Sequence, residues 1–407
     1  MRALFFVETP HRLAGAQRSL MVALTRVAAH GIEPLAVFPG PGAVEEAYRA
    51  AGIPTRIIAA PPSLLLFNKR LLALGARARA GVLVRELIPY WRQLASEVRA
   101  GGFEVVHFNT PRGILVGGAA AKLARRPTVL HLRGAADDFG GPYWAAAQLL
   151  ATRIVLVARA ILPSISAPFR GRASVVYNGV KTQPPRDQAV ARRALAERLG
   201  DPRIVNLGET LFVSLSSLTP FKGLHHLLEA AARLRAQGVS ARYVFAGGGG
   251  DTRYERFLIG RRAALGLDDI VHVVGFVPDP LELLAAADAA VLPSVHREML
   301  EIEGQVIDVR GTEGLPRSIL EALSLGVPVV ASRVQGVVEQ LEDGITGLIV
   351  PPGDADALAR GLARVAGDAA WRSAAGPAGR AAVEKRFTID AAAAGLARVL
   401  REAAGVI

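Results

Sequence analysis

The sequence predicts an α/β protein of two doubly wound, Rossmann-like domains facing each other across a cleft. Three observations lead there. The chain has 407 residues, more than one core of ordinary size holds, and a guide of roughly 150 residues per domain gives two or three. Short apolar runs alternate with longer helical patterns throughout, as in parallel sheets joined by crossover helices. The rhythm pauses once, in "VVYNGVKTQPPRDQ", whose polar, proline-containing residues 178–188 read as a linker. The domains are therefore expected at 1–183 and 184–387.

The elements follow in order. "ALFFV", "PLAVF", "VVHFN" and "TVLHL" read as buried parallel strands of the first domain, with helices at 16–30, 43–51 and 112–125 between them. After the linker the pattern restarts with "LFVSLSS", "RYVFAG", "IVHVVG", "AAVLPS", "VPVVAS" and "TGLIV". One stretch departs from it, "VHREMLEIEGQVIDVRG" at 295–311. "MLEI" and "QVIDV" alternate around Glu303-Gly304, so a small β-hairpin is expected there. Ligands of such sheets sit at the carboxyl ends of strands.

Composition narrows the function. Half of the residues are apolar, so the chain is globular. It has no cysteine, which excludes disulfides and thiolate metal sites. The formal charge of +12, nearly all arginine, points to anionic metabolites, anionic lipid or nucleic acid. Nucleic acid is disfavoured, because the arginines are scattered, aromatics are sparse and no binding motif appears. The opening "MRALFFVETP" enters a strand directly, so no secretory signal is expected. The longest apolar candidate, 144–167, contains Arg153 and Arg159, so no membrane span is expected. Residues 64–99 are different. Arg85, Arg92 and Arg99 recur every seven residues among leucines, Val82, Val84, Tyr90 and Trp91, on one helix face if Pro89 only kinks it. Such a helix suits an anionic membrane surface; the alternative is an apolar face packed on the first domain.

Several residues could carry chemistry. Gly15 stands at a helix start after the first strand, where backbone N–H groups can meet a phosphate. "AGGGGD" at 246–251, with Gly248, is a glycine-rich strand-to-helix turn that can cradle a phosphate or simply turn the chain. Lys222 precedes a helix after a strand, placed for a diphosphate or for solvent. His131 lies at the end of a buried strand, where a structural role is the commoner one. Asp354 and Asp356 imitate a metal-binding pair but read as a helix cap and a first-turn acid. With no cysteine, no histidine pair at ligand spacing and no convincing D-x-D, no metal site is expected. Glu313 and Glu321 frame a loop-to-helix junction, with Pro316 in the first helical turn and Gly326 ending the helix. They suit the hydroxyls of a ligand or, equally, salt bridges.

"SLTPFKGLHHLLEAAARL", "FAGGG", "VHVVGFV", "AADAAVLPS", "EGLPRSILEALSLGVPVVAS", "GITGLIVPPGD" and the early "AGAQRSL" occur in one order. Together they resemble the retaining glycosyltransferases of the GT-B fold, family 4 (glycosyl transferases group 1), densely over about 210–365 and more loosely before. The resemblance implies transfer of a hexose-type sugar from a UDP-, GDP- or ADP-sugar to a glycan or lipid-linked acceptor, with no metal or other cofactor. It assigns Glu313 to donor-sugar hydroxyls, with Gly314 and Leu315 beside it, and Glu321 to the ribose. It gives Lys222 to the diphosphate, Gly248 and Ser217 to the nucleotide-binding side of the donor site, Gly15 to the approach of the diphosphate to the first domain, and His131 to the neighbourhood of the sugar. Backbone from Val274 through Phe276 to Val277 would contact the base. The last helix, 388–407, would complete the first domain. The setting implied is cytoplasmic, at the inner face of the membrane, in polysaccharide or glycolipid synthesis.

The sequence also departs from the pattern. Ser217 stands where many members carry a second diphosphate arginine, leaving Arg12, Arg18 and Arg133 as substitutes. Pro316 replaces a common glycine, Lys181 a common aspartate, and the insertion before Glu313 is long. A catalytically weak GT-B protein that binds a partner glycosyltransferase, or a non-transferring sugar-nucleotide epimerase, are the competing readings.

Overall fold

The computed structural model describes residues 1–11, 13–61, 64, 75–134, 141–184, 186–206, 208–248, 250–277 and 279–406. The chain divides into two compact units, Met1–Gly179 with Ile389–Ile407, and Val180–Thr388. The division falls a few residues before the 183/184 boundary read from the sequence, because Val180 still pairs with Thr388 in an isolated bridge of the second unit.

In the first unit, β1 (Arg2–Phe6), β2 (Glu33–Phe38), β3 (Thr55–Ile57), β4 (Val105–Phe108), β5 (Thr128–Leu132), β6 (Arg153–Leu156) and β7 (Ala173–Val175) form one sheet in the order β3-β2-β1-β4-β5-β6-β7. Every pairing in it is parallel. Ala3, Leu4, Phe5 and Phe6 are completely buried. Helices cover both faces of a parallel sheet, which is why its strands read as unbroken apolar runs rather than alternating ones. One covering helix comes from the far end of the chain. Ile389–Ala404 sets Leu396, Ala397, Val399 and Leu400 into the same core as Leu20, Leu24 and Val27 of the helix Gly15–Val27. Each leucine so buried is worth about 1.5–3 kcal/mol, so losing this helix would strip the first unit of much of its core.

The second unit repeats the plan. β8 (Thr210–Leu215), β9 (Ala241–Ala246), β10 (Val271–Val273), β11 (Ala289–Leu292), β14 (Val329–Ser332) and β15 (Gly347–Val350) lie in the order β10-β9-β8-β11-β14-β15. In both sheets the order reverses direction once, between β1 and β4 and between β8 and β11. At such a point the loops leaving the two strands diverge and open a ligand crevice.

The expected hairpin is present. β12 (Arg297–Ile302) and β13 (Gln305–Arg310) pair antiparallel, and Glu303 (φ 51°) and Gly304 (φ 72°) both take the left-handed conformation that a tight two-residue turn requires. Arg256 pairs with Glu303 at 2.9 Å. Ile302 and Val309 point inward and are buried, while Met299 and Val306 stand exposed. Asp354 caps its helix by accepting from the Ala357 N–H at 2.8 Å, as read from the sequence.

Residues 65–74 of the arginine-rich stretch lie outside the described residues. The rest is a helix Ala76–Val82, a π-helical turn Leu83–Leu87 and a helix Ile88–Ala100. The backbone stays right-handed helical through Val82, Leu87 and Ile88, so Pro89 lies within one continuous helical run whose π-helical turn immediately precedes it. Tyr90, Leu94, Ala95 and Val98 are buried, so the apolar face of Ile88–Ala100 is spent on packing, and Arg92 and Arg99 lie on its outer side.

Candidate functional site

The second unit gathers its chemistry at the reversal between β8 and β11. β8 runs into Ser216, Ser217 and Leu218, then a short 3-10 turn Pro220–Lys222, then the helix Leu224–Ala236. Gly223 joins the last two at φ 66°, and a Cβ there would lie 2.1 Å from the Pro293 carbonyl oxygen. Only glycine permits that approach, and it brings Lys222 to the end of β11. Ser294, fully buried, lies just beyond that strand end.

Glu313 meets them both. Lys222 Nζ donates to Glu313 Oε1 at 2.5 Å and Ser294 Oγ donates to the same oxygen at 2.6 Å. The Glu313 N–H donates to Gln335 Oε1 at 3.1 Å, and its carbonyl accepts from Gly336 N at 3.0 Å. The carboxylate is 6% exposed, so it is a held counter-ion of Lys222 rather than an open group at a helix entrance. A buried carboxylate shared by an ammonium and a hydroxyl fixes the position of the positive charge, which is what anion binding needs. Glu321 is also engaged, pairing with Arg317 at 2.9 Å one helical turn earlier. Pro316 sits at the cap position with extended backbone, one residue before the helix Arg317–Ser324.

The glycine-rich turn is built by close packing. A Cβ on Gly248 would lie 2.8 Å from Phe276 Cβ, and one on Gly250 would lie 2.0 Å from the Leu218 carbonyl oxygen. Gly249 lies outside the described residues. The Val274 N–H donates to Phe245 O at 2.9 Å. Phe276 leaves a ring 67% exposed beside the turn. Gly314 and Leu315 are buried, and Ser217 Oγ lies 3.2 Å from Thr219 Oγ1.

The remaining sequence-named residues belong to the first unit. Gly15 opens its helix after Ala14, which offers no side-chain cap, and a Cβ on Gly15 would meet nothing within 4 Å. His131 is buried inside β5, with Nδ1 3.2 Å from Nε2 of His107. Burial first, and then the Arg133 charge, hold His107 down to about 3 and His131 well below its ordinary range. Both rings are neutral at physiological pH. Arg133 is held by Asn109 and Asn178, donating Nε at 2.9 Å to one and Nη1 at 2.9 Å to the other. Arg18 is half-buried, and Arg12 lies outside the described residues.

Sequence reasoning missed three features. Glu8, just after β1, is buried and accepts from Thr110 Oγ1 at 2.6 Å; desolvation raises its pKa against that hydrogen bond. Its place after the first strand was the available signal. Ser294 was legible only as the end of an apolar strand. The third is a cluster of possible metal ligands that the expectation of no metal site did not consider. His225 and His226 meet Glu298, with His225 Nε2 3.0 Å and His226 Nε2 2.7 Å from its two oxygens. One ligand atom from each lies within 4.8 Å of the others. The histidines are adjacent and the glutamate is 72 residues further on, so no spacing rule within one helix reveals the group.

Residues 201–382 match the family model described as glycosyl transferases group 1. The putative colanic acid biosynthesis glycosyltransferase WcaL of Escherichia coli (strain K12) is 36% identical over 184 residues, 44% of this chain and 42% of that protein. The amylovoran biosynthesis glycosyltransferase AmsK of Erwinia amylovora is 34% identical over 194 residues, 47% of this chain and 44% of that protein. The matched part thus spans less than half the length of these relatives. Among solved structures, Anabaena Alr3699/HepE in complex with UDP superposes with a TM-score of 0.77 at 22% identity, covering 99% of this chain and 100% of that one. A glycosyltransferase from Rickettsia africae ESF-5 gives 0.75 at 16% identity, covering 99% and 98%. At these identities the likeness is one of fold.

Proposed function

We propose, from the GT-B fold and the match of residues 201–382 to the family model of glycosyl transferases group 1, that the chain transfers a hexose-type sugar from a nucleotide diphosphate sugar to a glycan or lipid-linked acceptor in polysaccharide or glycolipid synthesis. The observation that carries this reading is the Lys222–Glu313–Ser294 cluster at the strand-order reversal of the second unit. The leaving group is a nucleoside diphosphate, so catalysis is chiefly neutralisation of charge developing on a phosphate oxygen. Lys222 supplies a fixed cation for it, and the turn at Gly248 brings backbone close. Glu313 holds that cation and contributes to donor-sugar recognition, Glu321 to ribose, and the backbone near Val274 and the exposed ring of Phe276 to the base. A neutral His131 is suited to a polar or structural role, not to carrying charge. Among the described residues no pair of carboxylates flanks the site as in a glycosidase, which favours same-face, oxocarbenium-like transfer with retained anomeric configuration.

HepE was solved with UDP, whereas a Corynebacterium glutamicum relative is named as GDP-mannose-dependent. A thermal-shift screen with UDP-, GDP- and ADP-sugars, followed by product analysis, therefore tests the reading. A ligand at 100 times its Kd adds about 2.7 kcal/mol. No stabilisation by any nucleotide sugar, or hydrolysis and epimerisation without transfer, would sink it. Ser217 in place of a second cation favours the reading as a catalytically weak partner protein, and the same product analysis separates the two.

Transfer is expected to proceed without a catalytic divalent cation, since Lys222 occupies that role. Complete loss of activity in EDTA, restored by magnesium or manganese, would refute this.

Contact with an anionic bilayer surface is proposed for the exposed Leu83 and Val84 with Arg85, a smaller patch than the whole amphipathic stretch. In the described residues no helix is long and apolar enough to cross a membrane. Each basic residue near such a surface contributes about 1 kcal/mol. Co-sedimentation with vesicles should rise with anionic lipid, fall with salt, and drop in Leu83→Ser/Val84→Ser. A wild type that stays in the supernatant at low salt disproves the contact.

A further inference from the structure

His225, His226 and Glu298 lie outside the cluster that serves the reaction. The two histidines occupy the first turn of the helix Leu224–Ala236, and Glu298 projects from β12 of the inserted hairpin. His225 is 6% exposed. The side chains of His226 and Glu298 are 17% and 18% exposed.

The contacts within the group are only half explained by hydrogen bonding. His226 Nε2 and Glu298 Oε2 are 2.7 Å apart and share a proton in good geometry. His225 Nε2 and Glu298 Oε1 are buried and 3.0 Å apart, close enough to pair but not aligned as a hydrogen bond. The far side of the His225 ring is well organised, with Nδ1 2.8 Å from the Tyr254 hydroxyl. An outer hydrogen bond of this kind fixes the tautomer of a metal-bound histidine. Charge gives the same answer. A helix N-terminus disfavours cations, and the two imidazole centroids are 4.1 Å apart, so two positive rings side by side there would repel. Neutral imidazole is the form that binds metals.

We propose that His225, His226 and Glu298 form a zinc site that fastens the inserted hairpin 297–310 to the first turn of the helix following Lys222. Two imidazole nitrogens and one carboxylate match the three-ligand zinc set, with a fourth position left for water. Tetrahedral zinc with bonds of about 2.0–2.2 Å spaces its ligands by roughly 3.3 Å. The ligand atoms here lie within 4.8 Å of one another, so ångström-scale side-chain adjustment completes the geometry. The metal is a brace. It fixes the loop that carries Lys222 without touching the phosphates, and its two imidazole ligands suit zinc rather than magnesium, which prefers oxygen.

The test uses the untagged full chain, stripped with EDTA and then titrated with zinc alone. Metal analysis after dialysis should find one zinc per chain, and zinc should raise Tm by several degrees. His226→Ala and Glu298→Gln should each weaken zinc binding at least about tenfold. Cobalt titration of the wild type provides a readout that needs no variant: a four-coordinate site gives intense visible absorption. Clearly substoichiometric zinc, wild-type affinity in both variants, or a cobalt titration without spectral change would overturn the proposal.

Discussion

Glu313→Gln is expected to lower kcat/KM for sugar transfer by about 10- to 150-fold, because a hydrogen bond to a charged group is worth about 1.5–3 kcal/mol. Glutamine has nearly the shape of glutamate and can still accept from Ser294 Oγ. It cannot neutralise Lys222, whose ammonium lies 2.5 Å from the carboxylate. The lysine then gains freedom to leave the position where it meets the diphosphate, and donor-sugar recognition by the carboxylate is lost as well. The fold should survive, as a circular dichroism spectrum can confirm. Unchanged kinetics in the variant would remove Glu313 from the site.

Lys222→Ala should act on the ligand and on the protein together. Binding of free UDP or GDP, measured by calorimetry, should weaken by about 10- to 150-fold, since a charge-assisted hydrogen bond to phosphate is lost. Stability should fall too. Glu313 is left as a buried carboxylate with its charge unpaired, and removing one partner of a buried pair costs about 3–5 kcal/mol. The double variant Lys222→Ala/Glu313→Gln should therefore be more stable than Lys222→Ala alone, because the stranded charge is gone. Non-additivity of this kind identifies groups that act together. If the better-binding nucleotide binds the lysine variant as tightly as the wild type, Lys222 is merely the counter-ion of Glu313.

The two variants also distinguish the readings of Glu313. Acting only through Lys222, its loss should add little to that of the lysine in nucleotide binding. Touching the donor sugar, it should lower transfer further while leaving free nucleotide binding unaffected.

Much of this architecture was legible before any coordinates. Strands and helices announce themselves by local period, so "ALFFV" and "RYVFAG" read correctly as buried strands. The hairpin could be read because Glu303-Gly304 is a turn signal between two alternating runs. Asp354 could be read as a cap because capping involves residues three apart. Ordered motifs led to the fold, and to Lys222 and Glu313 as members of one site.

Tertiary structure alone decided who faces whom. Lys222 and Glu313 are 91 residues apart, and they meet because the sheet order places β8 beside β11 at its reversal. Ser294 joins them for the same reason. His226 and Glu298 meet because the hairpin folds back over the helix that follows Lys222. The apolar side of Ile88–Ala100 had two possible destinations, membrane or core, and periodicity is identical for both; packing chose the core. A local pattern records which residues must leave water. It does not record which distant surface will cover them, because that depends on strand order and crossover, fixed only when the whole chain buries its apolar area at once.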